Sequence, residues 1–227
     1  MRFDVAADRL AALAARGVGT PGDGGLPPLP RGPAGLDVTF VDGRLRPRFE
    51  QTGTARAAAV LALIFPDEVG EARIVLTERL SYDGHHRGEV SLPGGKAEPF
   101  DADETATALR EASEEVGLDP AAADVRVIGR LDEVFIPVSD FRITPVVALA
   151  GRAPALEPNP SEVARIVTPR LATFLPDAEL EVVERSLGGW ALRYGGYRID
   201  GLHVWGATAR ILGQLGAVID PATVAEA

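Results

Sequence analysis

The run Arg110-Glu111-Ala112-Ser113-Glu114-Glu115-Val116-Gly117-Leu118 crowds three carboxylates together, a short way behind the pair Gly94-Gly95. The pattern from Asp103 to Val116 predicts a helix. At about 100° per residue, Leu109, Ala112 and Val116 share one face while Glu111, Glu114 and Glu115 share the opposite one. Asp101 with Glu104 predicts a capping box at its start, and Gly117 predicts its end at the C′ position. Like charges one turn apart repel by a few tenths of a kcal/mol in water, so the acids add nothing to the helix on their own. A hard divalent cation would reverse that sign. Oxygen ligands suit Mg²⁺ or Mn²⁺, and Mg²⁺ usually completes its shell with water and substrate phosphates. Acidic helix faces are most often plain solvated surface, so this cluster gains meaning only from the phrase around it.

That phrase resembles the Nudix box: glycine, five residues, glutamate, seven residues, then Arg-Glu-apolar-x-Glu-Glu-x-Gly-apolar. Gly95 and residues 110 to 118 match it. Asp101 stands where the box has its first glutamate, and eight residues then lead to Arg110. In the family this acid braces the loop and the arginine, a task open to a shorter Asp101 in a lengthened loop. The resemblance implies an α/β (α+β) protein with the Nudix fold, a mixed-sheet α/β/α sandwich. It also implies hydrolysis of a nucleoside diphosphate joined to another group, with Mg²⁺ or Mn²⁺ as cofactor. Glu111 and Glu115 are then the principal metal ligands, Glu114 a third ligand or the holder of metal-bound water, and the Gly95 carbonyl a further donor. Arg110 orients the glutamates by ion pairing. Glu162 is a candidate general base; an exposed acid at a strand entry is its other reading.

The segment ahead of the box resembles the coenzyme A pyrophosphatase branch of the family. Its signature runs Leu-Leu-Thr-x-Arg-Ser/Ala, three residues, Arg, three residues, Gly, three residues, Phe-Pro-Gly-Gly. Thr77, Arg79, Gly88 and Pro93-Gly94-Gly95 fall in register, whereas Leu80, Gly84 and Leu92 depart from it. Gly84 replaces an arginine that could meet a substrate phosphate, and Arg87 stands close enough to substitute. The stretches Ile136 to Val147 and Val204 to Leu212 also look like phrases of this branch. The implied reaction cleaves coenzyme A, or an acyl-CoA, to 3′,5′-ADP and (acyl-)4′-phosphopantetheine, with Arg79, His86 and Arg87 as candidate substrate contacts. Alternatives are a Nudix hydrolase of ADP-ribose, dinucleotides or nucleoside triphosphates, and a catalytically silent nucleotide sensor. His85 and His86 have no third ligand at metal spacing, which argues against zinc. Trp190 and Trp205 read as core or interface anchors rather than adenine platforms, and Arg210 as the partner of an acid.

Composition sets the frame for these residues. A chain of 227 residues suits one well-buried domain with extensions. With no cysteine there is no disulfide and no thiolate metal site, in keeping with a reducing cytoplasm. Met1-Arg2-Phe3-Asp4 lacks the basic start of a signal peptide, and no apolar run is long enough to span a bilayer, so the expectation is a cytoplasmic protein without a membrane partner. A net charge of -10 argues against a general nucleic-acid surface. It leaves a small nucleotide substrate open, since a cation and a few arginines handle that locally.

Three regions are expected: an amino-terminal helix and Pro/Gly-rich arm over 1–50, a Nudix domain over 51–220 and a tail over 221–227. The helix covers 4–16. The arm packs on its own domain, with a homodimer contact as the alternative. Strands are expected at Ala57 to Phe65, Ala72 to Thr77, Val125 to Leu131, Arg142 to Ala150 and Val163 to Val167. After a short helix at 170–175, a hairpin follows over Glu179 to Ser186 and Trp190 to Ile199, and a closing helix over Val204 to Val218.

Overall fold

The computed structural model describes residues 1–15, 29–42, 55–80, 89–137, 139–187, 190–220 and 222. In chain order these form helix α1 (Phe3–Ala15), a 3-10 turn (Ala34–Leu36), and strands β1 (Thr39–Phe40), β2 (Arg56–Pro66), β3 (Ala72–Ile74), β4 (Leu76–Arg79), β5 (Val90–Ser91) and β6 (Gly94–Lys96). Helix α2 (Glu104–Val116) precedes strands β7 (Val125–Arg130), β8 (Val134–Ile136), β9 (Phe141–Ala150) and β10 (Val163–Val167) and a second 3-10 turn (Leu171–Phe174). Strands β11 (Glu181–Leu187), β12 (Trp190–Ile199) and β13 (Leu202–Trp205) and helix α3 (Gly206–Val218) complete the chain.

The apolar run of β2 makes it the centre of a mixed sheet. It pairs in parallel with β9, Arg56 opposite Phe141 through Ile64 opposite Leu149, and antiparallel with β3 and β6. Both faces of β2 are covered, as expected of a strand without polar alternation. Ala59, Leu61, Leu63 and Phe65 pack with Ala108, Ala112 and Val116 of α2. Ala62 and Ile64 join a second cluster that holds Ala6 and Leu10 of α1 and Ile211, Leu212 and Leu215 of α3. One helix on one side and two on the other give the α/β/α sandwich expected from the sequence.

Several boundaries differ from those expected. The single strand anticipated from Ala72 to Thr77 is two. β3 pairs with β2, β4 with β10 and β5, and Val75 is the switch point, its amide donating to Leu63 O at 3.2 Å. The closing helix begins at Gly206 rather than Val204, because Val204 and Trp205 extend β13 along β12. The described part of the arm packs on its own domain: Leu36 is 2% exposed in the core, and β1 pairs with β12. None of the described helices is long and apolar enough to cross a membrane.

Candidate active site

Helix α2 starts two residues later than a cap at Asp101 would give. Asp103 is the N-cap, and its side chain accepts from the Ala106 amide at 2.8 Å. Gly117, at φ 65°, closes the helix by donating to the carbonyls of Ala112 and Ser113. The acid at Asp101 is freed for the bracing role implied by the resemblance. It accepts from the Glu98 amide at 2.9 Å, from the Thr107 hydroxyl at 2.9 Å and twice from the Arg110 guanidinium at 3.0 Å. Those donors, Arg110 foremost, hold the Asp101 carboxyl well below the usual carboxylate range.

Arg110 reaches on from Asp101 to Glu111 at 2.9 Å, Glu114 at 3.0 Å and the Lys96 carbonyl at 3.1 Å. It therefore ties the helix to the glycine strand β6 and holds two glutamates at once. The three acids are not alike. Glu114 is 55% exposed and lies outside the cleft described below, whereas the Glu111 side chain is only 16% exposed. Glu115 is 4% exposed, which corrects the expectation of an acidic face turned away from the protein. The helix is covered twice, by β2 under its apolar stripe and by β6 over the acids, and the Gly94 amide donates to Glu115 Oε2 at 3.1 Å.

Gly95 explains its own residue type. A Cβ there would stand 2.6 Å from the Glu111 carboxyl atoms, so only glycine lets the strand and the acid meet. Burial raises the Glu111 carboxyl, the Glu114 and Glu162 charges adding to it and Arg110 opposing. Burial likewise pushes Glu115 up to about 7, against the Gly94 amide and Arg79 and with help from Glu111 and Glu162. Among the described residues no three acids or histidines come close enough to enclose a cation as they stand. Arg110 lies between Glu111 and Glu114, and the Gly94 amide holds Glu115. The donors nonetheless fit a hard divalent ion: one buried and one partly buried carboxylate against a glycine backbone, oxygen throughout, with Arg110 the cation paired to Glu111.

Glu111 and Glu115 line a cleft of about 1490 Å³. Gly94, Gly95, Glu111, Glu115, Arg79 and Glu162 all line it, so five of the expected site residues meet there. His86 and Arg87 lie outside the described residues. Sequence reasoning missed Lys96, Glu89 and Phe135, which also line the cleft, and gave no reason for Phe141 and Trp205, which fall in the two later phrases, to share a wall with them. Lys96 could have been found as the cation that directly follows the glycine pair. The apolar walls come from β8, β9 and β13, and no local pattern joins them.

Residues 55–184 match the family model of the NUDIX domain. The chain is 40% identical over 163 residues to "Nudix hydrolase 15, mitochondrial" of Arabidopsis thaliana, a match covering 69% of this chain and 56% of that one. It is 38% identical over 191 residues to "Nudix hydrolase 22, chloroplastic" of the same plant, covering 82% and 60%. It is 36% identical over 180 residues to "Uncharacterized Nudix hydrolase NudL" of Pectobacterium atrosepticum, covering 78% and 90%. The chain thus spans somewhat more than half the length of the two plant relatives.

Proposed function

The chain belongs to the Nudix family, and from that premise we propose that it is a divalent-metal-dependent diphosphatase that cleaves coenzyme A or acyl-CoA to 3′,5′-ADP and (acyl-)4′-phosphopantetheine. The observation that carries the substrate is where the two later phrases fall. Ile136, Phe141 and Ile143 of the first, and Trp205, Thr208 and Arg210 of the second, line the same cleft as Glu111 and Glu115. The cleft exceeds the ~300–1,000 Å³ usual for small-ligand pockets, which suits a long substrate with an apolar arm.

In this reading Glu111, Glu115 and the Gly95 carbonyl hold Mg²⁺ or Mn²⁺. When bound, the ion neutralises diphosphate charge and acidifies a water. Arg110 acts at one remove, fixing Glu111 and the loop through Asp101. Arg79 is close enough to Glu115 for its charge to be felt there and supplies a positive wall for the diphosphate. Glu162, exposed and lining the cleft, takes a proton from the attacking water in this reading, and its charge being felt at Glu111 and Glu115 supports the role. Glu114, bound to Arg110 and solvated, serves as a support for the arginine rather than as a ligand.

The acidic chain and the absence of cysteine support a cytoplasmic enzyme acting on a small molecule, without a nucleic-acid or membrane partner. The test is a comparison of kcat/KM for coenzyme A, ADP-ribose, a dinucleoside polyphosphate and a nucleoside triphosphate at one Mg²⁺ concentration. A preference for coenzyme A supports the reading. A preference for another compound replaces the substrate, and turnover of none leaves a sensor.

A further inference from the structure

The wall of the cleft formed by β12, β13 and α3 carries groups of another kind than the carboxylates. Three flat side chains stack across β12 and β13: His203 on Tyr194 with ring centroids 6.2 Å apart, and Tyr194 on Trp205 at 4.9 Å and 26°. Tyr194 is 1% exposed, so the stack is anchored in the protein, and Trp205 is its half-buried, cleft-lining end. A rigid indole supported from behind offers a π-face to a planar group in the cleft.

The cations of the cleft come from three different elements. Arg79, Lys96 and Arg210 are the basic residues that line it among those described. Arg79 is felt at Glu115, and Lys96 directly follows Gly95, so both stand beside the carboxylates. Arg210 stands instead on α3, just beyond Trp205. Its approach to Asp37 is only 4.0 Å, with the two side chains 46% and 61% exposed. A pair so long and so solvated contributes little, which leaves the guanidinium able to take an anion. The expectation of an arginine occupied by an acid is met only at the limit of an ion pair.

The helix that carries Arg210 is itself tied down. One turn further along α3, Gln214 exchanges two hydrogen bonds with Asp132. Its Nε2 donates to Asp132 Oδ2 at 2.6 Å, and the Asp132 amide donates to Gln214 Oε1 at 3.1 Å. Gln214 is 8% exposed, so this clamp is shielded from water and pins the helix to the segment ahead of β8.

We propose that Trp205 and Arg210 form a subsite for a nucleoside carrying a phosphomonoester remote from the diphosphate, the base against Trp205 and the phosphomonoester on Arg210. The inference rests on the reading that the diphosphate is cleaved at Glu111 and Glu115. A guanidinium meets a phosphomonoester through two parallel charge-assisted bonds, and a nucleotide lacking that group forfeits them. Arg210 is then the residue that separates 3′-phosphorylated nucleotides from their plain counterparts.

The test is calorimetric titration of the full chain with 3′,5′-ADP and with 5′-AMP in chelator, where no turnover occurs, for the wild type, Arg210→Ala, Arg210→Lys and Trp205→Leu. The wild type binds 3′,5′-ADP about tenfold or more tightly than 5′-AMP, the difference expected of hydrogen bonds to a charged group. Arg210→Ala brings the ratio to within about twofold, and Arg210→Lys, which keeps the charge but not the fork, retains part of it. Trp205→Leu weakens both ligands and preserves the ratio. A wild-type protein without the preference, or a preference that survives in both Arg210 variants, overturns the proposal. Should the preference depend on Arg210 while coenzyme A is not cleaved, the subsite stands and the assigned reaction falls. Cleavage of coenzyme A without the preference keeps the reaction and removes the subsite.

Discussion

The Glu111 carboxylate lies against the α-carbon of Gly95 so closely that a methyl group there would stand 2.6 Å from it. The neighbouring Gly94 is tight for another reason: its Cβ would meet Ala59 O at 2.4 Å and Val60 Cα at 2.6 Å. A carboxylate at the end of a flexible side chain can swing away, whereas strand backbone cannot. Gly95→Ala is therefore expected to keep its melting temperature within a few degrees while losing about ten- to a hundredfold in Mg²⁺ affinity, by analogy with shifts in the support of metal ligands. Gly94→Ala is expected to melt markedly lower. Paired thermal melts and metal titrations check both.

Glu115→Gln removes a charge but keeps an oxygen that accepts from the Gly94 amide. The fold should persist because that bond persists, not because the position is exposed. Turnover should fall at least about a hundredfold, beyond rescue by excess Mg²⁺. Near-normal activity at saturating metal removes Glu115 from the site.

The same residue sets a pH dependence. Its carboxyl sits at about 7 in the fold against an ordinary 4.5. Between those values the folded protein holds a proton that the unfolded chain has released. In chelator, this contribution to stability is complete below about 4.5 and is lost as pH rises through about 7. Urea midpoints from about pH 4 to about pH 8 should show that decline, Glu115→Gln should flatten it, and Mg²⁺, which favours the ionised form, should remove it. An unchanged slope in the variant assigns the titration elsewhere.

Asp101 carries the opposite sign. Its carboxyl is held below its ordinary 3.8 by Arg110, the Glu98 amide and Thr107, so its contribution is present above that value and lost as pH falls through the lower folded one. Asp101→Asn should destabilise the protein at neutral pH, make its acid unfolding limb shallower and reduce turnover through a loosened Arg110. Acid titrations followed by circular dichroism read the first two effects.

Tyr197 offers a control remote from the chemistry. Burial pushes its phenol up to about 12, it is 1% exposed, and its hydroxyl has no hydrogen-bond partner among the described residues. Tyr197→Phe removes a buried polar group that forms no bond, and should raise stability by about 1 kcal/mol, or about 2–4 °C in melting temperature. A lower melting temperature would mean that the hydroxyl is satisfied after all.

Local pattern carried part of this architecture. The apolar run of β2, the helical period of α2 and the Arg110–Glu115 phrase are encoded within single turns or strands, and each lies where the sequence puts it. What failed was what distant segments decide. Glu115, though read as a metal ligand, was expected to face away from the core because the helical period reveals one apolar stripe and says nothing of a second cover, here β6. Asp101 and Asp103 compete for one cap, and Arg110 settles the choice by drawing Asp101 away. Val204 and Trp205 have helix-compatible neighbours, yet pairing with β12 keeps them extended. The partnership of Trp205 with Phe135 and Phe141 in one cleft spans three strands, so it is visible only once the sheets assemble.

The most direct measurement of the central claim is mass-spectrometric identification of the products after the purified protein is incubated with coenzyme A and Mg²⁺. The assigned reaction gives 3′,5′-ADP and 4′-phosphopantetheine in equal amounts, and neither with Glu115→Gln. Intact coenzyme A, under conditions where ADP-ribose or a dinucleotide is consumed, would contradict it.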